Sequence, residues 1–169
     1  MGIESVSDSS GEVPDRRTAT FPDRPDWLFW LHAAAAGLIA GQVFAVWFQF
    51  TIGTMPALGT VFPLGEPSVS FAWGIHVVTS ALFGVLYAVV VDSDAVRPYA
   101  STSTRGVLVG AVFGALLWFL LNVVFWPFWA TMFADWPAIG SAAVMGPATA
   151  HILWGELLGG LFPQLRRIQ

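Results

Sequence analysis

Four long apolar runs dominate this chain of 169 residues, which is 56% hydrophobic and only 11% charged. The runs cover residues 27–53, 70–91, 106–128 and 142–162. A helix rises about 1.5 Å per residue and the hydrocarbon of a bilayer is about 30 Å thick, so each run is long enough to cross it. The sequence therefore predicts an all-α fold, a polytopic membrane four-helix bundle over residues 27–165.

The basic residues predict how the helices are oriented. All seven are arginines, and each flanks the runs on the same side. They are Arg16, Arg17 and Arg24 before the first run, Arg97 and Arg105 between the second and third, and Arg166 and Arg167 after the fourth. Since cytoplasmic loops carry the excess of positive charge, we expect a multi-pass protein of the plasma membrane with both termini in the cytoplasm.

The ends of the chain differ from the runs in composition. Residues 1–26 hold six acids among Ser, Gly and Pro, which predicts a disordered acidic arm in the cytoplasm. Residues 166–169 are predicted to form a short basic cytoplasmic tail. The chain has no cysteine, which excludes disulfides, thiolate nucleophiles and cysteine-ligated metals. The expected partners are the lipid bilayer and either further copies of the chain or other membrane subunits, and not nucleic acid.

The second half of the chain repeats the first. Gly37 and Gly41 of the first run recur as Gly106 and Gly110 of the third, at an offset of 69 residues. In the second and fourth runs the offset is 75, and the equivalent pairs are His76 and His151, Ser80 and Gly155, Gly84 and Gly159, and Tyr87 and Phe162. Because two spans return the chain to its starting side, the halves are predicted to be parallel repeats. A pseudo-two-fold axis along the membrane normal would relate them.

Glycines recur at four-residue spacing in these runs. Such pairs allow helix backbones to approach closely in a membrane, where no hydrophobic effect drives association. Helix packing is therefore the predicted role of Gly37, Gly41, Gly84, Gly106, Gly110, Gly155 and Gly159.

His76 and His151 are the first candidates for function. At about 100° per residue, each heads the stripe of small residues on its helix, so both are expected to face other helices and not lipid. Two imidazoles in equivalent places can ligate haem iron or another metal, contact a quinone head group, or hydrogen-bond to a neighbouring helix. We favour the hydrogen bond, and the cofactor stays open.

Four further polar residues lie within the runs. Glu156 and Gln42 have alanine counterparts in the other half, so the packing of the repeat does not require them. Glu156 is the only acid within the spans, which suggests a proton-carrying or ion-binding role, or simple hydration near the surface. His32 is its depth-matched candidate partner. Asn122 is expected to hydrogen-bond between helices, or to reach His76 or His151.

Several motifs together resemble a known group of proteins. They are Gly37-xxx-Gly41 followed by Thr54-Met55-Pro56, the Gly74-Ile-His76 helix with Gly84 and Tyr87, Gly106-xxx-Gly110, and His151-Ile-Leu-Trp-Gly155 with Gly159. Over residues 33–163 the chain resembles a family of small four-span membrane proteins of bacteria and archaea, whose activity is unknown. That family has a His-x(7)-Gly-x-x-Tyr helix in both halves. This chain departs from it at Phe162 and Glu156, and the resemblance implies the fold but no activity.

These observations favour a binding or accessory membrane protein, or an assembly subunit, that packs through its glycine-rich helix faces. One alternative is a small oligomeric transporter or channel that uses Glu156 with intramembrane histidine and glutamine side chains. Another is a redox subunit in which His76 and His151 contact haem or quinone. The sequence shows no paired acids at metal spacing, no Ser-His arrangement and no phosphate-binding loop, so no catalytic residue is predicted and an enzyme is not expected.

Overall fold

The described residues of the protein are all-helical and contain no strand. The structure is a computed structural model that describes residues 26–47, 49–50, 55–58, 68–132 and 147–167. Its α-helices are α1 (Asp26–Trp47), α2 (Met55–Leu58), α3 (Val69–Asp92), α4 (Ser103–Phe119), α5 (Trp126–Met132) and α6 (Ala148–Leu165). A 3-10 helix over Arg97–Tyr99 joins α3 to α4, and a π-helix over Leu120–Phe125 joins α4 directly to α5. The acidic arm predicted from the sequence lies outside the described residues, except for Asp26, which begins α1.

Three helical segments are long and apolar enough to cross a membrane. They are Trp27–Trp47, Val69–Asp92 and Ser103–Trp129, and they correspond to the first three predicted runs. These helices indicate a membrane-embedded protein. The α-helix α1 ends at Trp47 and residues 49–50 are π-helical; the predicted end at residue 53 lies outside the described residues.

The fourth helix, α6, is shorter and more polar than the other three. It has 18 residues, which is about 27 Å of helix, and it begins at Ala148, later than the predicted start at residue 142. The mean hydropathy of α6 is lowered by His151, Glu156 and Gln164. By composition alone, α6 is therefore not counted among the segments apolar enough to cross a membrane.

Side-chain caps fix the starts of α3 and α4. Ser68 accepts a hydrogen bond from the backbone N–H of Phe71 at 3.0 Å, and Thr102 accepts one from Arg105 at 3.4 Å. Each cap satisfies an N–H group that the first helical turn leaves without a partner. The start of each of these helices is thus specified by its flanking sequence.

The long helices pack in antiparallel pairs through glycine. Helix α1 packs on α3, α4 packs on α6, and α1 also packs on α6. A Cβ atom added to Gly37 would lie 2.7 Å from the Cα of Gly84, and one added to Gly110 would lie 2.7 Å from the carbonyl carbon of Gly155. No real Cβ comes so close to another backbone, so only glycine permits these crossings. These glycines therefore lie where two helix backbones cross closely.

Aromatic rings fill the space between the four long helices. Tyr87 of α3 meets Phe113 of α4 with ring centroids 5.3 Å apart, and meets Phe162 of α6 at 5.9 Å. Phe29 of α1 meets Phe162 at 5.5 Å, and the guanidinium of Arg166 lies over Phe29 at 5.1 Å. These three ring contacts are edge-on, the arrangement that the quadrupoles of aromatic rings favour. This aromatic core holds the two helix pairs together.

Candidate functional site

The polar side chains of the interior lie toward one end of the helices. Arg97, Arg105 and Arg166 mark the opposite end, which we call the arginine end. Because α1 and α4 run away from the arginine end while α3 and α6 run back to it, His76 and His151 both lie near the far end. We call that end the histidine end. Both histidines are half-buried.

His76 crosses from α3 to the backbone of α1. Its Nε2 lies 2.9 Å from the carbonyl oxygen of Gly41. A carbonyl oxygen only accepts, so Nε2 carries the proton and the neutral ring keeps its Nδ1 as an acceptor. Glycine at position 41 makes this contact possible, because a Cβ there would lie 2.5 Å from the Cβ of Ser80. The predicted interhelical hydrogen bond therefore exists at His76.

His151 makes a different contact from its equivalent in the first half. Its Nδ1 lies 3.5 Å from the carbonyl oxygen of Pro147, one turn earlier in the same helix. The proton on Nδ1 leaves Nε2 as the free acceptor of the neutral ring. Ala45 and Ser80 lie near His76. The equivalent positions in the second half are occupied by Gly114 and Gly155. The smaller residues bring α4 and α6 closer together, which leaves less room for a ring between them.

The two imidazoles are within electrostatic range of each other. In the described part of the chain neither ring makes a second hydrogen bond. The site therefore presents two unprotonated nitrogens, Nδ1 of His76 and Nε2 of His151, on half-buried rings. Such nitrogens can accept hydrogen bonds from a ligand or bind a metal ion. Because both nitrogens are acceptors, they cannot hydrogen-bond to each other unless one ring gains a proton and becomes the donor.

Three more polar atoms are buried without a hydrogen-bond partner in the described segments. They are Gln42 Nε2, Gln49 Oε1 and Asn122 Oδ1. The Nδ2 group of Asn122 donates to the carbonyl oxygen of Trp118 at 3.0 Å, one turn earlier, so this side chain serves its own helix and not another. Asn122 also lies in the π-helix, a rare element that often marks functional sites. The helical wheel places Gln42 on a flank of α1 turned away from α6, so the structure does not add it to the histidine pair.

The next candidate is Glu156, with His32 as its predicted partner. Glu156 is half-buried on α6. The face of α6 that meets α1 carries Leu158 and Phe162, whose neighbours across the interface include Phe29. At about 100° per residue, Glu156 points to the other side of that helix. The partnership of Glu156 with His32 stays a prediction.

A metal site of the usual kind is not found either. The described residues contain no group of three or more His, Asp or Glu side chains that could hold a metal ion. The haem and quinone alternatives therefore concern the two histidines alone. For His76 the nitrogen facing Gly41 is engaged, which leaves only Nδ1 for a ligand.

Comparisons with known proteins give no match: no family model fits the chain, and neither a curated protein nor a solved structure is significantly similar to it. The resemblance to small four-span membrane proteins thus stays a proposal that rests on the glycine and histidine motifs. Sequence reasoning selects His76 and His151 from their equivalent positions. The sequence does not indicate which ring nitrogen carries the proton, because that depends on the carbonyl oxygen that each ring contacts in the fold.

Proposed function

We propose that this chain is a multi-pass four-helix membrane protein of two parallel two-helix repeats. In this proposal it serves as a binding or accessory subunit, and its ligand is held between His76 and His151 at the histidine end. The single observation that carries the proposal is the pair of half-buried histidines at equivalent positions, each with one ring nitrogen that makes no hydrogen bond to a described residue.

Equivalent contacts support the two repeats. The approach of Gly37 to Gly84 has its counterpart in that of Gly106 to Gly159, at the offsets of 69 and 75 residues. Tyr87 and Phe162 are equivalent to each other, and their ring centroids are 5.9 Å apart. Equivalent residues touch one another only close to a two-fold axis, which supports an axis through the aromatic core.

The free nitrogens define the chemistry of the ligand. Each accepts a hydrogen bond, so the ligand must offer hydroxyl or ammonium donors, and it must reach the site from the membrane or from the histidine end. The carbonyl oxygens of an oxidised quinone only accept, whereas the hydroxyl groups of a quinol donate. Of the redox alternatives, this geometry therefore favours a reduced quinol head group over the oxidised form.

A binding experiment with a soluble benzoquinol tests the site. We expect the purified protein to bind a short-chain benzoquinol more tightly than the matching quinone. Replacing either histidine should weaken quinol binding by about tenfold, because one hydrogen bond contributes about 1 to 1.5 kcal/mol. The variants are His76→Ala and His151→Ala, with His32→Ala as the matched control, and the measurement is isothermal titration calorimetry in detergent.

The control separates the site from the rest of the protein. His32→Ala should bind quinol as the wild type does, since His32 lies toward the arginine end of α1. Equal binding of quinol and quinone, or equal losses in all three variants, would contradict the proposed site. An absorption spectrum of the purified protein with haem bands would instead support ligation of iron by the two histidines.

The orientation of the protein is tested with single cysteines, because the chain has none of its own. The arginine end is expected in the cytoplasm. Ser101 in the α3–α4 connection and Ser70 at the start of α3 are both exposed and lie at opposite ends. In intact cells an impermeant maleimide should label Ser70→Cys and not Ser101→Cys, and after lysis it should label both. Labelling of Ser101→Cys and not of Ser70→Cys in intact cells would show that the arginine end lies outside the cell.

A further inference from the structure

The lipid-facing surface contains a large groove between α3 and α4. Its volume is about 970 Å³. Apolar side chains form nearly all of its walls, among them Leu86 and Val90 of α3 and Val109, Val112 and Leu116 of α4. Tyr99 and Arg105 also line it, and both lie at the arginine end. The groove is therefore apolar along its length and positively charged at one end.

The groove has a repeat-equivalent interface that is closed. Helices α1 and α6 pack tightly through Ala36 and Ala40, which are buried. At the offset of 69 residues these alanines correspond to Arg105 and Val109 of α4. The larger side chains prevent α4 from packing on α3 as α1 packs on α6. The groove is thus built into the sequence of the second half.

The charges around the groove favour an anionic occupant. Arg97, in the same connection, is paired with Asp92 at 3.3 Å and with Asp94 at 3.2 Å. Arg105 is exposed and has no ion pair among the described residues. It also lies in the first turn of α4, where the helix dipole adds positive potential. A negative group at this end would thus meet a guanidinium that no acid in the described segments neutralises.

We propose that the groove binds a phospholipid with an anionic head group, with its phosphate at Arg105 and one acyl chain along α4. From Arg105 to Leu120, the last residue of the lining, the helix rises about 22 Å. One leaflet contributes about half of the 30 Å hydrocarbon thickness, so the groove accommodates the full depth of one chain. Tyr99 lies where head groups meet hydrocarbon, the usual level of tyrosine in membranes.

Native mass spectrometry with defined lipids tests this site. The protein in detergent is mixed with equal amounts of phosphatidylglycerol and phosphatidylcholine that carry the same acyl chains. We expect about fivefold preference for phosphatidylglycerol, since one arginine near a membrane surface contributes about 1 kcal/mol toward an anionic lipid. Arg105→Gln should abolish the preference, whereas Arg167→Gln, an exposed arginine at the same end, should keep it.

A second pair of variants tests the groove itself. Val112 lines it and is 62% exposed, while Val78 is 58% exposed and lies outside the lining. Val112→Trp should reduce retention of both lipids several-fold, and Val78→Trp should not. The proposal is overturned if Arg105→Gln and Arg167→Gln behave alike. It is also overturned if Val112→Trp leaves lipid retention unchanged but converts a dimer to a monomer, because a second copy would then fill the groove.

Discussion

Gly110→Ala is expected to destabilise the protein by about 3 kcal/mol, at the upper end of the cost of inserting atoms into a packed interior. The added Cβ would meet the backbone of Gly155 and would lie 3.1 Å from the Cα of Gly159. Neither neighbour has a flexible side chain that could move aside. Helix α6 must therefore shift away from α4, which weakens the close packing of this pair. Equilibrium unfolding by SDS titration in mixed micelles, followed by circular dichroism, measures the loss.

Gly74→Ala is the matched control for this prediction. A Cβ at Gly74 would meet no atom within 4 Å, and the residue is exposed on α3. Alanine is a better helix former than glycine by about 1 kcal/mol, so this variant should be as stable as the wild type or more stable. The same Gly→Ala substitution is thus expected to lower stability at position 110 and to preserve or raise it at position 74. Equal destabilisation by both changes would show that the loss of stability in Gly110→Ala does not come from the α4–α6 contact.

The packing glycines show how far the sequence can predict the fold. Spacing alone indicates that Gly37, Gly106 and Gly155 face other helices, and the structure places all of them against a backbone. Length and hydropathy likewise predict the three apolar helices. These features depend on local pattern, because each helix must satisfy its own backbone hydrogen bonds in a membrane.

The pairing of the helices is less accessible from the sequence. A strict two-fold repeat would pack α3 on α4 as α1 packs on α6, but Arg105 and Val109 stand where the first half has alanines. Arg105 and Val109 leave an open groove between α3 and α4, and the size of that groove depends on the side chains of both helices. The π-helix around Asn122 is also unexpected, since no Gly or Pro within it marks the change in helical winding. Such features appear only when neighbouring helices are placed together.

The histidine site lies between these two cases. Equivalent positions in the repeat select His76 and His151, and the structure puts both within electrostatic range. Their chemistry differs because Ser80 and Gly155 set different distances between the paired backbones.

Tyr87→Ala is expected to cost about 3 kcal/mol, at the lower end of the range for removing a buried ring, because detergent as well as protein shields an aromatic side chain from water. Tyr87 is fully buried and contacts rings of both α4 and α6. Its removal leaves a cavity where the two helix pairs meet. The rings of Phe113 and Phe162 then lose the dispersion attraction that they have with Tyr87.

Tyr87→Phe separates the ring from its hydroxyl group. The hydroxyl lies 3.5 Å from the carbonyl oxygen of Gly106, at the limit of a hydrogen bond, so its loss should change stability by less than about 1 kcal/mol. Phenylalanine also stands at the equivalent position, Phe162, where the fold accepts it. The same SDS titration compares both variants with the wild type. A loss in Tyr87→Phe as large as that in Tyr87→Ala would mean that the hydroxyl, and not the aromatic contact, joins the two halves of the protein.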